Sequence, residues 1–351
     1  MFLVLGAVAL FALGAAFSGL RAGPHALRTA RVLAGPAAVL AGFLVINSFY
    51  GYWPTVGALL GHPLPGQVSR RKLAAAIADR VRLPPGGQFG PVMIPAAGAG
   101  FVPAESYVWL PPDFNRVPHT HLPVVVTLTG IPGTAQDWAR AGGAIDASTA
   151  WADTHGGQAP VVVMVNENGR AGHDTECLDS REGQAFRYLT QAVPTWITRV
   201  LGIHLAPQRW GLIGFSEGGT CSLLLAVKDH DLYGRFLDIA GDAAPDYGPG
   251  GTGTLRVLFD NNRARQAAWN PRLLMATHRY PYLDAWFAAG LQDRGHHLIE
   301  PILAADAATA GMHVTTYWAP GHHTWIFARQ ALQHLYPSFA HTLETGTTTP
   351  T

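Results

Sequence analysis

Arg209-Trp210-Gly211-Leu212-Ile213-Gly214-Phe215-Ser216-Glu217-Gly218-Gly219 reads as a buried strand, a sharp turn and the first turn of a helix. Within it Gly214-Phe215-Ser216-Glu217-Gly218 spells G-x-S-x-G, the pattern of a strained strand-to-helix turn that exposes a nucleophilic serine. Glycines two before and two after the serine are needed because strand and helix approach closely there. In a chain with 40 glycines the bare pattern is weakly specific. Its context is more telling: an apolar strand precedes Ser216, and the helix-forming run 222–227 follows it.

A serine nucleophile needs an oxyanion site, a base and an acid that orients the base. One oxyanion N–H is expected from Glu217, the residue after the nucleophile. The second is expected from the loop after the strand 124–128, which runs Thr129-Gly130-Ile131-Pro132-Gly133. Pro132 has no N–H to offer, so Ile131 is the expected donor. In this strand–helix pattern the partners follow in the order Ser, acid, His. The late histidines are His296, His297, His313, His322, His323, His334 and His341. His322 and His323 follow the strand-like run 313–317 and the turn Ala319-Pro320-Gly321, where a base belongs. The residues alone do not choose between these two. Asp293 is the best-placed acid, because it follows a strand near 286–289 and Gly290. Asp284 precedes that strand, at the wrong end of the sheet, and Asp260 and Glu300 are weaker rivals.

Formal net charge is +1, and no basic stripe alternates with aromatics, which sets nucleic acid aside as a partner. Lys72 and Lys228 are the only lysines. The two cysteines, Cys177 and Cys221, lack metal-ligand spacing, and no H-E-x-x-H motif occurs. No metal or cofactor is expected.

Strand-like and helix-like segments alternate, which predicts an α/β fold with a mostly parallel central sheet flanked by helices. The strands are expected at 90–94, 107–110, 124–128, 161–165, 210–215, 236–239, 286–289 and 313–317. Helices are expected at 183–201, 217–228 and 327–335. The catalytic domain is expected over 88–340 and a disordered Thr-rich tail over 341–351. Residues 169–179, with Asp174, Thr175 and Glu176, read as a solvated loop. The glycine-rich run 241–253 is a candidate edge of the site, and the aromatics of 269–282 are candidates for an acyl-binding wall.

Upstream, residues 1–60 read as a transmembrane hairpin. Run 2–20 is apolar and uncharged, and 32–49 is a second apolar run. The loop between them carries Arg21, Arg28 and Arg31, which places it on the cytoplasmic side and the rest of the chain outside. Tyr50, Tyr52 and Trp53 fit an interfacial belt. A cleaved signal peptide is the alternative for the first run, but no basic residue precedes it. Residues 61–87 read as a Pro/Gly-punctuated linker holding one amphipathic helix near 71–82.

Together these motifs resemble the esterase branch of the α/β hydrolases, which includes the S-formylglutathione hydrolases and the mycolyltransferases. The resemblance spans about residues 89–337. It rests on the early strand pair that closes on Leu110-Pro111-Pro112, the loop from Thr129-Gly130 to Asp137-Trp138, the Gly214–Gly219 turn, the acid position after Gly290, and Pro320-Gly321-His322-His323-Thr324-Trp325. It implies the α/β-hydrolase fold and selects His323 as the base, with His322 where glycine is usual. Glu217 replaces a common Met, and Thr129 replaces a frequent His; neither change removes a required donor.

The expectation is an extracytoplasmic serine esterase that acts on a small-molecule, lipid or cell-envelope ester beside the bilayer. Acyl transfer to an alcohol is the alternative, and a non-catalytic membrane-anchored binding domain is the alternative of another class. In an extracytoplasmic setting Cys177 and Cys221 are expected to pair.

Overall fold

The computed structural model describes residues 14, 24–79, 82–96, 98, 100–118, 122–170 and 172–346. Among them, β1 (Gln88–Val92), β2 (Ser106–Leu110), β3 (Val124–Leu128) and β4 (Val161–Met164) form one half of a central sheet. A two-stranded hairpin of β5 (Asp179–Ser180) and β6 (Gly183–Gln184) stands apart. β7 (Trp210–Phe215), β8 (Arg235–Ile239), β9 (Asp284–Gly290) and β10 (His313–Ala319) complete the sheet. The strand order is β1-β2-β4-β3-β7-β8-β9-β10. The pairings of β2 with β1 and with β4 are antiparallel, and all the others are parallel.

The central strands β3, β4, β7, β8 and β9 are buried throughout because helices cover both faces. Side chains alternate along each strand. Val124, Val126 and Leu212 face one core with the helices Glu217–Lys228 and His296–Thr309, while Val125, Ile213 and Trp286 face the other with Ala144–Thr154 and Trp325–Thr345. All eight sheet strands lie where the sequence pattern puts them. The expected helix 183–201 appears from Ala185 to Leu201 as alternating α and π turns.

Three upstream and downstream expectations change. The linker helix is Arg70–Ala78, and it buries Leu73 and Ala76 in the main core. Gln67 also bridges Phe89 of β1, so this segment is part of the catalytic domain's edge. The last helix runs to Thr345, beyond the expected start of the tail at 341, because Thr342 and Leu343 are buried against the sheet. Residues 347–351 lie outside the described residues.

The expected membrane hairpin lies only in part among the described residues. Its first run, 2–20, falls outside them except for Gly14, and no described helix is long and apolar enough to cross a membrane. The second run lies in the helix Pro24–Tyr50. The last turns of that helix have protein partners: Leu44 and Asn47 are buried, and Asn47 exchanges two hydrogen bonds with the backbone of Trp53. The expected aromatic belt is engaged in the same way. Tyr52 donates to the carbonyl of Pro132 (2.7 Å), and the Arg140 guanidinium sits 5.2 Å from the Trp53 ring.

Candidate active site

Ser216 occupies the turn between β7 and the helix Glu217–Lys228 at φ 61°, ψ −125°. A non-glycine residue held there costs of order 1–3 kcal/mol, which the surrounding packing must offset. The packing is tight. A Cβ on Gly214 would lie 1.7 Å from the Gly218 carbonyl oxygen, and one on Gly218 would lie 2.3 Å from that of Leu128. Only glycine fits either place, which is the physical content of the G-x-S-x-G spacing.

β3, β7, β9 and β10 all deliver loops to the same end of the sheet, where ligands bind in open α/β sheets. Gly290 ends β9, and a Cβ there would meet the Gly321 carbonyl at 2.3 Å, so the acid and base loops cross in contact. Gly321 N–H donates to Gln292 Oε1 across this crossing (2.6 Å). The outcome is a chain of hydrogen bonds. His323 Nε2 lies 2.8 Å from Ser216 Oγ, and His323 Nδ1 lies 2.8 Å from Asp293 Oδ2. Of the two adjacent histidines, His323 is the one placed beside Ser216 and Asp293, whereas His322 is exposed and its ring meets Phe49 at 5.0 Å.

The rival acids serve elsewhere. Asp284 is buried at the far end of β9 in an ion pair with Arg235 (3.0 Å). Asp260 pairs with Arg181 and Arg265 at the surface. Glu300 accepts from Gly241 N–H (2.6 Å) and shares a buried pocket with Asp238. Burial raises both of these carboxyls; the Asp238 charge raises Glu300 further, whereas the hydrogen bond with Glu300 offsets part of the rise at Asp238.

The loop 129–133, expected to supply an oxyanion donor, lies against the nucleophile turn. Gly130 passes so close that a Cβ would lie 2.7 Å from Ser216 Cβ. The N–H of Ile131 donates to no group among the described residues, and the N–H of Glu217 opens a helix, where no intrahelical acceptor exists. Ile131 and Pro132 roof a cavity of about 340 Å³ that holds Ser216 and His323. Phe215 and Trp325 form its apolar walls, and Tyr50 and Tyr52 close it from the N-terminal segment. The aromatics of 269–282 are not that wall: Trp269 packs on Phe186 and under Lys228. A larger cleft of about 640 Å³ continues past Ile131 to Asn168 and His173.

Sequence reading missed a second histidine. His296 Nδ1 lies 2.8 Å from Asp293 Oδ1, its Nε2 lies 3.4 Å from Asp242 Oδ1, and its ring stacks on His323 at 4.3 Å. Asp293 therefore receives one histidine on each oxygen. Burial pushes the Asp293 carboxyl up, but the hydrogen bonds from His296 and His323 outweigh it and hold the group well below the usual carboxylate range. Burial lowers His296, yet Asp242 and Asp293 together push it up to about 10. The Gly-His-His spacing at 295–297 was the only available signal, and its partners come from loops.

A second feature also escaped. Thr175 and Glu176 are buried, contrary to the solvated-loop expectation. Burial raises the carboxyls of Glu167, Glu176 and Glu217, and neighbouring carboxylates add to it: Asp137 on Glu167, Glu217 on Glu176, and Glu167 on Glu217. Among the described residues two groups could present metal ligands: Asp293, His296 and His323, whose atoms already form the hydrogen-bonded chain above, and Asp174, Glu176 and Glu217. Beside the second group, Cys177 and Cys221 form the expected disulfide, 44 residues apart in the chain.

The family described as "Putative esterase" matches residues 103–343. An uncharacterized protein of Corynebacterium glutamicum is 28% identical over 312 residues, which cover 83% of this chain and 71% of that protein. An S-formylglutathione hydrolase from Agrobacterium tumefaciens superposes with a TM-score of 0.61 at 19% identity, over 74% of this chain and 96% of the other. A ferulic acid esterase gives 0.63 at 14% identity, over 73% and 98%. At such identities the superpositions carry the fold alone, the α/β-hydrolase fold, while the family match carries the chemistry. The chain belongs to this esterase family and is a serine ester hydrolase or acyltransferase.

Proposed function

We propose that the chain is an extracytoplasmic, membrane-associated esterase that cleaves a lipid or cell-envelope ester through an acyl-enzyme on Ser216. The observation that carries this reading is the pair of 2.8 Å contacts linking Ser216, His323 and Asp293. Ser216 Oγ attacks the ester carbonyl while His323 Nε2 takes its proton. Asp293 holds the Nδ1–H tautomer and stabilises the imidazolium. The N–H groups of Ile131 and Glu217 receive the developing oxyanion, each worth ~3–4 kcal/mol in the transition state. His323 then gives its proton to the leaving alcohol. Water, activated by the same imidazole, releases the acid; an alcohol in its place yields a new ester. The same acyl-enzyme therefore serves the alternative, acyl transfer. A purely binding role has no use for this hydrogen-bonded set.

The lipid-like substrate is supported by the aromatic walls of the Ser216 cavity. Membrane association is supported by the helix that leads to it: Val39, Val45, Ile46 and Phe49 are exposed along its length. The disulfide fits an oxidising compartment.

The test is turnover of an ester series of increasing acyl length by the full chain, with and without glycerol as acceptor, together with flotation on phospholipid vesicles. The reading expects free acid as the main product, preference for longer acyl chains, and co-flotation. A new glyceryl ester as the main product would assign the acyl-transfer branch. Equal rates for acetate and long-chain esters without flotation would contradict the lipid and membrane parts.

A further inference from the structure

We propose that Asp174, Glu176 and Glu217 form a binding site for a hard divalent cation of the calcium class, one that fastens the loop after β4 to the nucleophile helix. One ligand atom from each of these three carboxylates lies within 4.8 Å of the others. Calcium binds oxygens at about 2.3–2.6 Å, so oxygens facing each other across one ion are roughly 4.6–5.2 Å apart. Separations of no more than 4.8 Å therefore let one such ion reach all three carboxylates.

A second observation points to a ligand there. Glu217 is 4% exposed, and its Oε1 is buried without a donor among the described residues. Asp174 Oδ1 is buried and equally without one. Leaving buried carboxylate oxygens without a donor is costly, and a bound cation removes that cost. The other Glu217 oxygen accepts from Asn168 Nδ2 (2.8 Å), and Asn168 Oδ1 accepts from Thr175 N–H (2.7 Å). These bonds fix the loop's shape around the cluster. His173, in the same loop, pairs with Glu182 instead (3.2 Å). Glu176 keeps its position at φ 49°, an uncommon conformation for a non-glycine residue.

The ligand set names the ion. It is all oxygen and rich in charge, which suits calcium; zinc prefers nitrogen and sulfur, and magnesium retains most of its water. The location gives the ion a role. Glu217 carries the N–H assigned above to the oxyanion, and Glu176 precedes Cys177, which is bonded to Cys221 on the same helix. Ion and disulfide would hold one loop to one helix at adjacent points. Binding is independent of whether the protein turns over any particular ester.

The test is calorimetric titration of EDTA-stripped full-length protein with calcium chloride, with thermal melts on the same samples. The expected result is one ion per chain, a saturable rise in Tm, weaker binding of magnesium, and at least about tenfold loss of calcium affinity in Asp174→Asn and in Glu176→Gln. Should Glu176→Gln fail to fold, the half-buried Asp174→Asn decides, with its fold checked by circular dichroism. Absence of heat and of any Tm change with calcium, magnesium and manganese in the folded protein would overturn the proposal, as would calcium binding that both variants retain unchanged.

Discussion

His323 Nε2 lies 2.8 Å from Ser216 Oγ although 107 residues of chain separate them. The parallel strands β7, β9 and β10 end at the same edge of one sheet, with β8 between the first two, so short loops after each bring nucleophile, acid and base together. The disposition depends on backbone contacts that only glycine allows, at Gly214, Gly218 and Gly290.

Asp293→Asn keeps the shape of the acid but removes its charge, so His323 loses the partner that fixes its tautomer. The expected outcome is a fall in kcat of roughly 1,000- to 10,000-fold with little change in KM. Steady-state kinetics on any turned-over ester checks it. A loss smaller than about tenfold would remove Asp293 from the relay.

Gly214→Ala puts a methyl group into a space that ends 1.7 Å away at the Gly218 carbonyl. Backbone must move, and the expected cost is ~3 kcal/mol or more by urea unfolding. Gly86→Ala is the control, since nothing lies within 4 Å of the added carbon. Its effect is expected to stay within about 0.5 kcal/mol. Equal stabilities for the two variants would count against the close turn.

The Cys177–Cys221 bond closes a long loop, with a sequence separation of 44. In the chain-entropy account, cutting such a loop lowers stability by ~4 kcal/mol. Denaturant curves with and without reductant, or for the double Cys→Ala variant, are expected to differ by about 2–5 kcal/mol. Superimposable curves would contradict the role given to the bond.

Stability should also depend on pH, and the directions can be worked out. His296 is raised from 6.5 to about 10, so its contribution is complete below pH 6.5 and is lost as the pH climbs towards 10. The buried Asp238 and Glu300 are raised as well and act in the same direction. Asp293 is lowered from 3.8, so its contribution is present above that value and is lost on further acidification. Tm is therefore expected to be highest at mildly acidic pH and to decline towards pH 10. His296→Gln should make the alkaline decline shallower. A decline equally steep in that variant would mean that His296 is not the group responsible.

The sheet was legible in the sequence because its inner strands are buried on both faces, and several of them, such as β4 and β7, read as apolar runs. Ser216, Asp293 and His323 were legible as candidates because each follows a strand-like run through a glycine-bearing turn or loop. The partners of Asp293 and Glu217 were not. His296, Asp242 and Asn168 approach from loops whose side chains follow no period, and an Asp-Thr-Glu stretch reads as solvent-facing whether or not the fold buries it. The partners of Tyr50 and Tyr52 were not legible either: an apolar run closing on aromatics has the same pattern whether those rings meet lipid headgroups or line a cavity, as these two do. The last helix outran its expected end because Thr342 packs inward while its Thr-rich setting reads as tail.

The central claim is an activated serine at position 216. It is tested most directly by treating folded full-length protein with a fluorophosphonate and mapping the adduct by peptide mass spectrometry. The account predicts one adduct per chain, on the peptide containing Ser216, absent in Ser216→Ala and strongly slowed in His323→Ala. Adduct formation on another residue, or none on the folded wild-type protein, would contradict it.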